Sequence, residues 1–288
     1  MSECRANEIA VVDRKKPNSQ FADSNTAVQK VIDELGGIQN IQLGRLWGAK
    51  KCVFVEGKDM DLLRAVAKVA LPRKYVSFTN LPNFSTHGWS GLYVARGFAR
   101  TFVTNSEHQF TAFCILDRDY RSDTTVAEQG SQAELDCLRL FVWERKEIES
   151  YFLQPIVIFR ALAKKSTQSK PLAAISPDWI RQVIDEGCEH LKNATTDAIS
   201  VEILNESSES KRKGVPHSNP AAREVVDANW MSFETRVSIV GGKDLFAFLN
   251  KRLLETVGLT VGPLEVAREL RPTEVCEEMK AVLKEICG

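Results

Sequence analysis

Three short apolar runs limit what this chain can fold into more than any other feature: Cys52-Val53-Phe54-Val55, Phe110 to Leu116 and Leu138 to Trp143. A strand with one wet face alternates apolar and polar residues. Continuous runs of this length fit strands buried on both faces, as in a parallel sheet. Between the runs the spacing changes to that of a helix. Asp59 is a candidate N-cap for a helix carrying Leu62, Leu63, Val66, Val69 and Ala70, and Pro72 stops it. Trp89 to Phe102 repeats the pattern through Leu92, Val94, Ala95, Phe98 and Phe102, and Tyr75 to Thr79 reads as a further strand. Strands alternating with helices predict βαβ units, and so an α/β fold with a parallel, Rossmann-like sheet flanked by helices.

The rest of the chain is less regular. Ala27 to Leu35 has helical spacing and stops at Gly36-Gly37. A polar stretch around Gly130 reads as a loop, Lys146 to Ala163 as a helix and Ile175 to Lys192 as another. Asn205 to Ala221 is rich in Ser, Pro and Gly and is expected to be a mobile loop. Ser232 to Val240 returns to strand-like alternation before Gly241-Gly242-Lys243 and a further helix. Pro272 then divides two closing helices, Leu264 to Leu270 and Thr273 to Ile286. The expected organisation is a tail over 1–50, a first core segment over 51–165, a helical insertion over 166–232 holding the loop 205–221, and core completion over 233–288.

With 38 Lys and Arg against 38 Asp and Glu in 288 residues, the chain is neutral. That argues against a uniformly cationic nucleic-acid binder but leaves room for a local basic groove. No apolar run reaches the ~18 residues of a membrane span, and the first residues lack a signal-peptide core, so a cytoplasmic protein is expected. The seven cysteines form no CxxC pair and the four histidines show no ligand spacing, which disfavours a zinc site.

In an open parallel sheet, ligands bind beyond the carboxyl ends of the strands. Each apolar run leads into acidic residues: Glu56 after the first, Asp117 and Asp119 after the next, and Glu144, Glu147 and Glu149 after the last. Single acidic residues there are ordinary helix caps. Asp117-x-Asp119 is less ordinary, because on an extended turn both carboxylates point the same way and resist ionising together without a cation. With Glu56 they form a set of hard oxygen ligands suited to Mg²⁺ or Mn²⁺, ions that assist phosphodiester cleavage. Gly241-Gly242-Lys243 is no phosphate-binding loop, since Val237 and Asp244 stand where such a loop needs Gly and Ser or Thr. Lys243 reads better as a clamp for a scissile phosphate.

These segments carry a family resemblance. Val55-Glu56-Gly57-Lys58-Asp59, Leu116-Asp117-Arg118-Asp119-Tyr120, Arg145-Lys146-Glu147-Ile148-Glu149-Ser150-Tyr151 and Gly242-Lys243 resemble, in order and spacing, the TOPRIM domain of OLD-family nucleases. Those are DNA-processing and anti-phage proteins that join an ABC-type ATPase to a TOPRIM nuclease. The likeness spans roughly residues 50–255, and residues 7–50, especially Ala27 to Trp47, look like the tail of the ATPase part. The resemblance implies Glu56 as metal ligand or general acid/base, Asp117 and Asp119 as metal ligands, Glu149 (alternatively Glu147) as ligand of a second metal, and Lys243 as the residue that stabilises the transition state. It also implies one or two Mg²⁺ or Mn²⁺ ions, a nucleic-acid substrate (DNA before RNA) and an ABC-type ATPase partner in cis or trans. Met60 departs from the pattern, standing where the family carries a second acidic residue; Asp59 and Asp61 flank it, each rotated by about 100° on a helix.

Arg118, Arg121 and Arg145, with Lys50, Lys51, Arg96 and Arg100, lie in or near the segments expected to form the rim, and Lys211-Arg212-Lys213 could track a phosphate backbone from the expected loop. Two functions therefore stand as expectations. One is a metal-dependent nuclease; the other is a weak or inactive nucleic-acid-binding subunit of an ATPase complex. A homo-oligomer is compatible with either.

Overall fold

The computed structural model describes residues 10–11, 20–21, 46, 48–105, 110–166, 172–206 and 212–288. Two short strands, β1 (Ala10–Val11) and β2 (Gln20–Phe21), pair antiparallel. The main sheet begins at β3 (Lys51–Glu56), followed by helices α1 (Asp59–Ala70) and α2 (Tyr75–Thr79) and strand β4 (Asn83–Thr86). A 3-10 turn over Gly88–Gly91 leads into α3 (Leu92–Asn105), then β5 (Thr111–Leu116), α4 (Asp123–Leu135) and β6 (Leu138–Val142). After a second 3-10 turn, Ile148–Phe152, the described chain is helical: α5 (Pro155–Lys165), α6 (Pro177–Glu206), α7 (Val215–Asn229), α8 (Phe233–Ile239), α9 (Gly242–Val257), α10 (Pro263–Ala267) and α11 (Glu277–Cys287).

The sheet is four-stranded and all parallel, in the order β4-β3-β5-β6. The α/β class read from the apolar runs is the class the structure has. Alternation divides the strands between two layers. Val53, Val55, Phe113 and Ile115 face α1 and the helices beyond β6, whereas Cys52, Phe54, Ala112, Cys114 and Leu116 face α3 and Ala133 of α4. Both faces of the central strands β3 and β5 are covered, so most of their side chains are removed from water, worth roughly 1.5–3 kcal/mol for each large apolar one. No described helix is long and apolar enough to cross a membrane.

Connectivity places the site. From β3 the chain steps outward to β4, then crosses back over β3 to reach β5. The strand order reverses between β3 and β5, and their carboxyl ends are Glu56 and Leu116-Asp117. A crevice opens at such a switch point.

Several local expectations are corrected. Tyr75–Thr79 is a helix, not a strand: Thr79 Oγ1 donates to Tyr75 O one turn back at 2.8 Å, and Val76 is exposed. The strand beside β3 is instead Asn83–Thr86, an edge strand whose half-wet position needs no apolar run. The stretch around Gly130 is α4, capped by Ser122, whose hydroxyl accepts from Thr125 N. Only Ala133 of that helix is buried, so its sequence carries no apolar period. Lys146 to Ala163 is not one helix. Pro155 forces Gln154 into extended geometry, leaving a short turn and then α5. The segment Ser232–Val240 is α8, with a Ser232–Thr235 capping box and with Phe233, Val237 and Val240 buried at helical spacing. Much of the expected loop 205–221 is the start of α7, held by a buried Ser200–Ser218 hydrogen bond of 2.7 Å. Asp59 opens α1 without capping it, and α11 is capped by Cys276 in place of Thr273. Lys211, the helix expected over Ala27 to Leu35 and most of the ATPase-like tail lie outside the described residues.

Candidate metal centre

Asp117 directly follows β5 and is 2 % exposed. Its Oδ1 accepts from the Ile148 amide at 2.8 Å, which ties the end of the strand to the turn 148–152. Glu147 is extended and Glu149 lies in the 3-10 turn that follows it, so both reach the same place. Asp117, Glu147 and Glu149, all buried, each offer a carboxylate oxygen, and the three oxygens lie within 4.8 Å of one another. This buried acidic triad could bind a metal ion.

Lys243 comes from the first turn of α9, with no strand before it. Its Nζ lies 3.8 Å from Asp117 Oδ2, 3.5 Å from Glu147 Oε2 and 3.6 Å from Glu149 Oε2. Its backbone amide donates to Glu147 Oε1 at 2.6 Å, so Glu147 caps α9 and sets the base of the lysine. Gly242, just before Lys243, serves this docking. A Cβ on Gly242 would sit 2.6 Å from Ser150 N and 2.9 Å from Glu149 C, closer than any side chain fits.

Glu56, at the end of β3, and Asp119 lie outside the triad. Asp119 does not sit on an extended turn beside Asp117, as its spacing had suggested. Its φ is +48° and that of Tyr120 is +65°, so the chain turns left-handed immediately after Arg118. Asp119 N donates to Lys146 O at 3.1 Å, and among neighbouring charges Asp119 acts most on Glu56. Gly88 lies against Glu56, and its φ of +61°, a left-handed backbone, is what calls for glycine there, since a Cβ would make only an ordinary 3.6 Å contact with Glu56 Oε1. The two acidic residues flanking Met60 part company. Asp59 is buried and its charge acts on Asp117, while Asp61 turns outward to Arg64 at 3.1 Å; Met60 enters the core.

Electrostatics follow from burial. Desolvation, reinforced by Asp59, pushes Asp117 up to about 8 against the Ile148 amide and Lys243. Burial and Glu149 raise Asp59 to about 7. Glu56 is raised by burial and then by Asp119, and Glu149 by burial against the pull of Lys243. Burial disfavours the Lys243 ammonium, but Glu149, Glu147, Asp117 and Asp59 together hold it more firmly charged than usual. Two oxygens test whether a cation fits. Glu56 Oε2 is buried and takes no hydrogen bond among the described residues, and Glu149 Oε2 has only the Lys243 ammonium at 3.6 Å, an arrangement that a hard cation satisfies.

The basic residues expected at the rim are each engaged with neighbours of their own. Lys51 begins β3, at the far end of the strand, and donates to Ile286 O. Arg96 and Arg100 pair with Asp136, ahead of β6. Arg145 donates to Ser150 O at 2.7 Å and lies over the Tyr151 ring. Arg118 bonds Arg121 O and Asp123, and Arg121 pairs with Glu202. Arg212 and Lys213 are exposed beside α7. Sequence reading overlooked Trp89, whose Nε1 donates to Asp117 O at 2.9 Å and whose ring carries Arg121. It also overlooked Lys146, which bonds Glu147 and lies over Tyr120. Only the Gly88-Trp89 step after a strand end hinted at the first, and nothing local marks the second.

Compared with known proteins, the chain matches no family model, no curated protein sequence and no solved structure.

Proposed function

We propose that this chain is a metal-dependent nuclease with a TOPRIM-like centre, cleaving DNA in preference to RNA and working with an ABC-type ATPase, as the resemblance to OLD-family proteins implies. The observation that carries the reading is the buried triad Asp117, Glu147 and Glu149 at the switch point, with Lys243 over it. Hard carboxylate oxygens without thiolate or imidazole favour Mg²⁺ or Mn²⁺. Asp117, Glu147 and Glu149 would hold one ion; Glu56, Asp119 and Asp59 are the further ligands available to a second. When bound, such an ion supplies charge stabilisation at a phosphoryl oxygen and an acidified water.

The chain's own groups supply the rest. Lys243 Nζ has its side chain 57 % exposed, so the ammonium that spans the triad also faces solvent, where a phosphate oxygen can meet it. Glu56, whose carboxyl is raised by burial and by Asp119 and whose Oε2 takes no hydrogen bond, is placed to carry a proton there. Glu147 keeps Lys243 in place through the α9 amide. DNA cleavage assays with Mg²⁺ or Mn²⁺ test the assignment. Glu56→Ala and Asp119→Ala are expected to slow cutting by about 10²–10⁴-fold, and undiminished cutting by both would sink it.

A second reading, a nucleic-acid-binding subunit without turnover, draws on one observation. Lys243 lies 3.5–3.8 Å from all three triad carboxylates and so gives the site a counter-cation of its own. Titration with Mn²⁺ separates the two, because only the nuclease reading requires the ion to bind.

A further inference from the structure

The backbone that carries Asp119 is an unfavourable one. Two consecutive non-glycine residues, Asp119 and Tyr120, have φ of +48° and +65°. Such a pair persists only where its surroundings over-determine it. The surroundings here come largely from one helix. The Tyr120 hydroxyl is directed to the side chain of Thr195, which is 4 % exposed. Arg121 pairs with Glu202 at 2.5 Å, and Ser122 N donates to Glu206 Oε1 at 2.7 Å. Thr195, Glu202 and Glu206 are seven and four residues apart on α6, so they share one face. The Tyr120 ring packs against the small core of Ile199, Ala222 and Val226, which joins α6 to α7. Three successive residues after Asp119 are therefore anchored to the inserted helices, while Asp119 N donates to Lys146 O.

We infer that α6 is the positioning element for Asp119, with Thr195 and Glu202 as positioning residues that act on the metal centre through the Asp119-Tyr120-Arg121 turn. The inference rests on the cation-binding role proposed above for Asp119. It gives the helical insertion a function beyond packing: whatever bends or displaces α6 and α7 moves a ligand of the centre. Neither residue need touch the ion or substrate.

The test is a mutant cycle read by Mn²⁺ affinity, with Thr195→Val and Glu202→Ala combined, each in the Asp119 and the Asp119→Asn background. Asparagine tolerates the left-handed conformation, so Asp119→Asn removes the ligand charge while sparing the turn. The combined change is expected to weaken Mn²⁺ binding by about tenfold or more with Asp119 present, and to have no further effect in the Asp119→Asn background. Thr195→Ser, which keeps the hydroxyl, should restore affinity relative to Thr195→Val. Equal weakening in both backgrounds would overturn the inference. Should the combined variant not fold, Arg121→Ala, at a partly exposed side chain, enters the same cycle with the same expectations. Hydrogen exchange at the 119–122 amides supplies a metal-independent arm, in which release from α6 should speed exchange while the interior of α6 stays protected. Unchanged exchange would overturn the inference even if Mn²⁺ binds. Failure of the unmodified protein to bind Mn²⁺ would instead sink the metal reading and leave amide exchange to decide the anchoring.

Discussion

At the residue scale the centre depends on one missing side chain as much as on the charged ones. Gly242 lets the first turn of α9 lie against the Glu149–Ser150 backbone, and that contact sets both the Lys243 amide on Glu147 and the Lys243 ammonium on the triad. A methyl group at Gly242 would meet backbone atoms at 2.6 and 2.9 Å, and neither can rotate away. Gly242→Ala is therefore expected to cost about 1–3 kcal/mol of stability, the range for overpacking, and to withdraw Lys243 from the carboxylates. Urea denaturation measures the first effect. The second should appear as weaker cleavage that added Mn²⁺ does not rescue. Gly97→Ala provides the control, because a Cβ there meets nothing within 4 Å. A Gly242→Ala protein as stable and active as the control would refute the close-approach account.

Individual elements are held by clips between distant segments, and one of them has a definite pH signature. Arg160 of α5 grips Glu274, just ahead of α11, through Nη1 at 2.9 Å and Nη2 at 2.7 Å, and Nη1 also donates to Glu269 O at 2.6 Å. The Arg160 hydrogen bonds hold the Glu274 carboxyl below its ordinary value. A depressed acid stabilises the fold above its unfolded pKa of about 4.3 and loses that contribution as pH falls through the folded value. Arg160→Ala should cost about 1–2 kcal/mol at pH 7, discounted for side chains 22 % and 18 % exposed. The deficit should shrink as pH drops below about 4. Denaturant midpoints at pH 7 and pH 3.5 check the sign, and a deficit that grows on acidification would contradict it.

The same scale shows what was legible in advance. The central strands β3 and β5 announce themselves, because residues buried on both faces must be apolar. The edge strand β4 did not, since Asn83-Phe84-Ser85-Thr86 pairs with one neighbour only. Helix α8 resembled a strand because its seven residues are too few to display a period of 3.6 against one of 2. Glu56 and Asp117 were legible as site candidates because they come directly after apolar runs, and Glu147 and Glu149 because they follow the last run within a few residues; Lys243 was picked out although the segment before it, read as a strand, is helix α8. The contacts that orient them were not. Glu147 meets Lys243 across 96 residues, and Thr195 and Glu202 matter to Asp119 only through tertiary packing that no local pattern encodes.

For the whole molecule, neutrality of charge conceals a strongly acidic crevice, and this sets how stability responds to pH. Asp117 is raised to about 8 and Asp59 to about 7, whereas both titrate near 3.9 when unfolded. Between those values the folded chain binds more protons than the unfolded one, so stability falls as pH rises from about 4 towards 8. Lys243 stays charged throughout this window and offsets only part of the repulsion. A divalent cation binds the ionised carboxylates and not the protonated ones, so its stabilisation must grow over the same interval. In calorimetry with chelator, Tm is expected to decline from pH 5 to pH 8. Added Mg²⁺ or Mn²⁺ should raise Tm little at pH 5 and most at pH 8. Asp117→Asn should flatten the decline and remove most of the cation effect, because it takes away both a repelling charge and a ligand. Arg160→Ala, which lies outside the crevice, should lower Tm without altering the response to the ion. A Tm that rises with pH in chelator would show that the acidic groups are already compensated within the chain, with Lys243 as the resident counter-charge, and would favour the binding subunit over the nuclease.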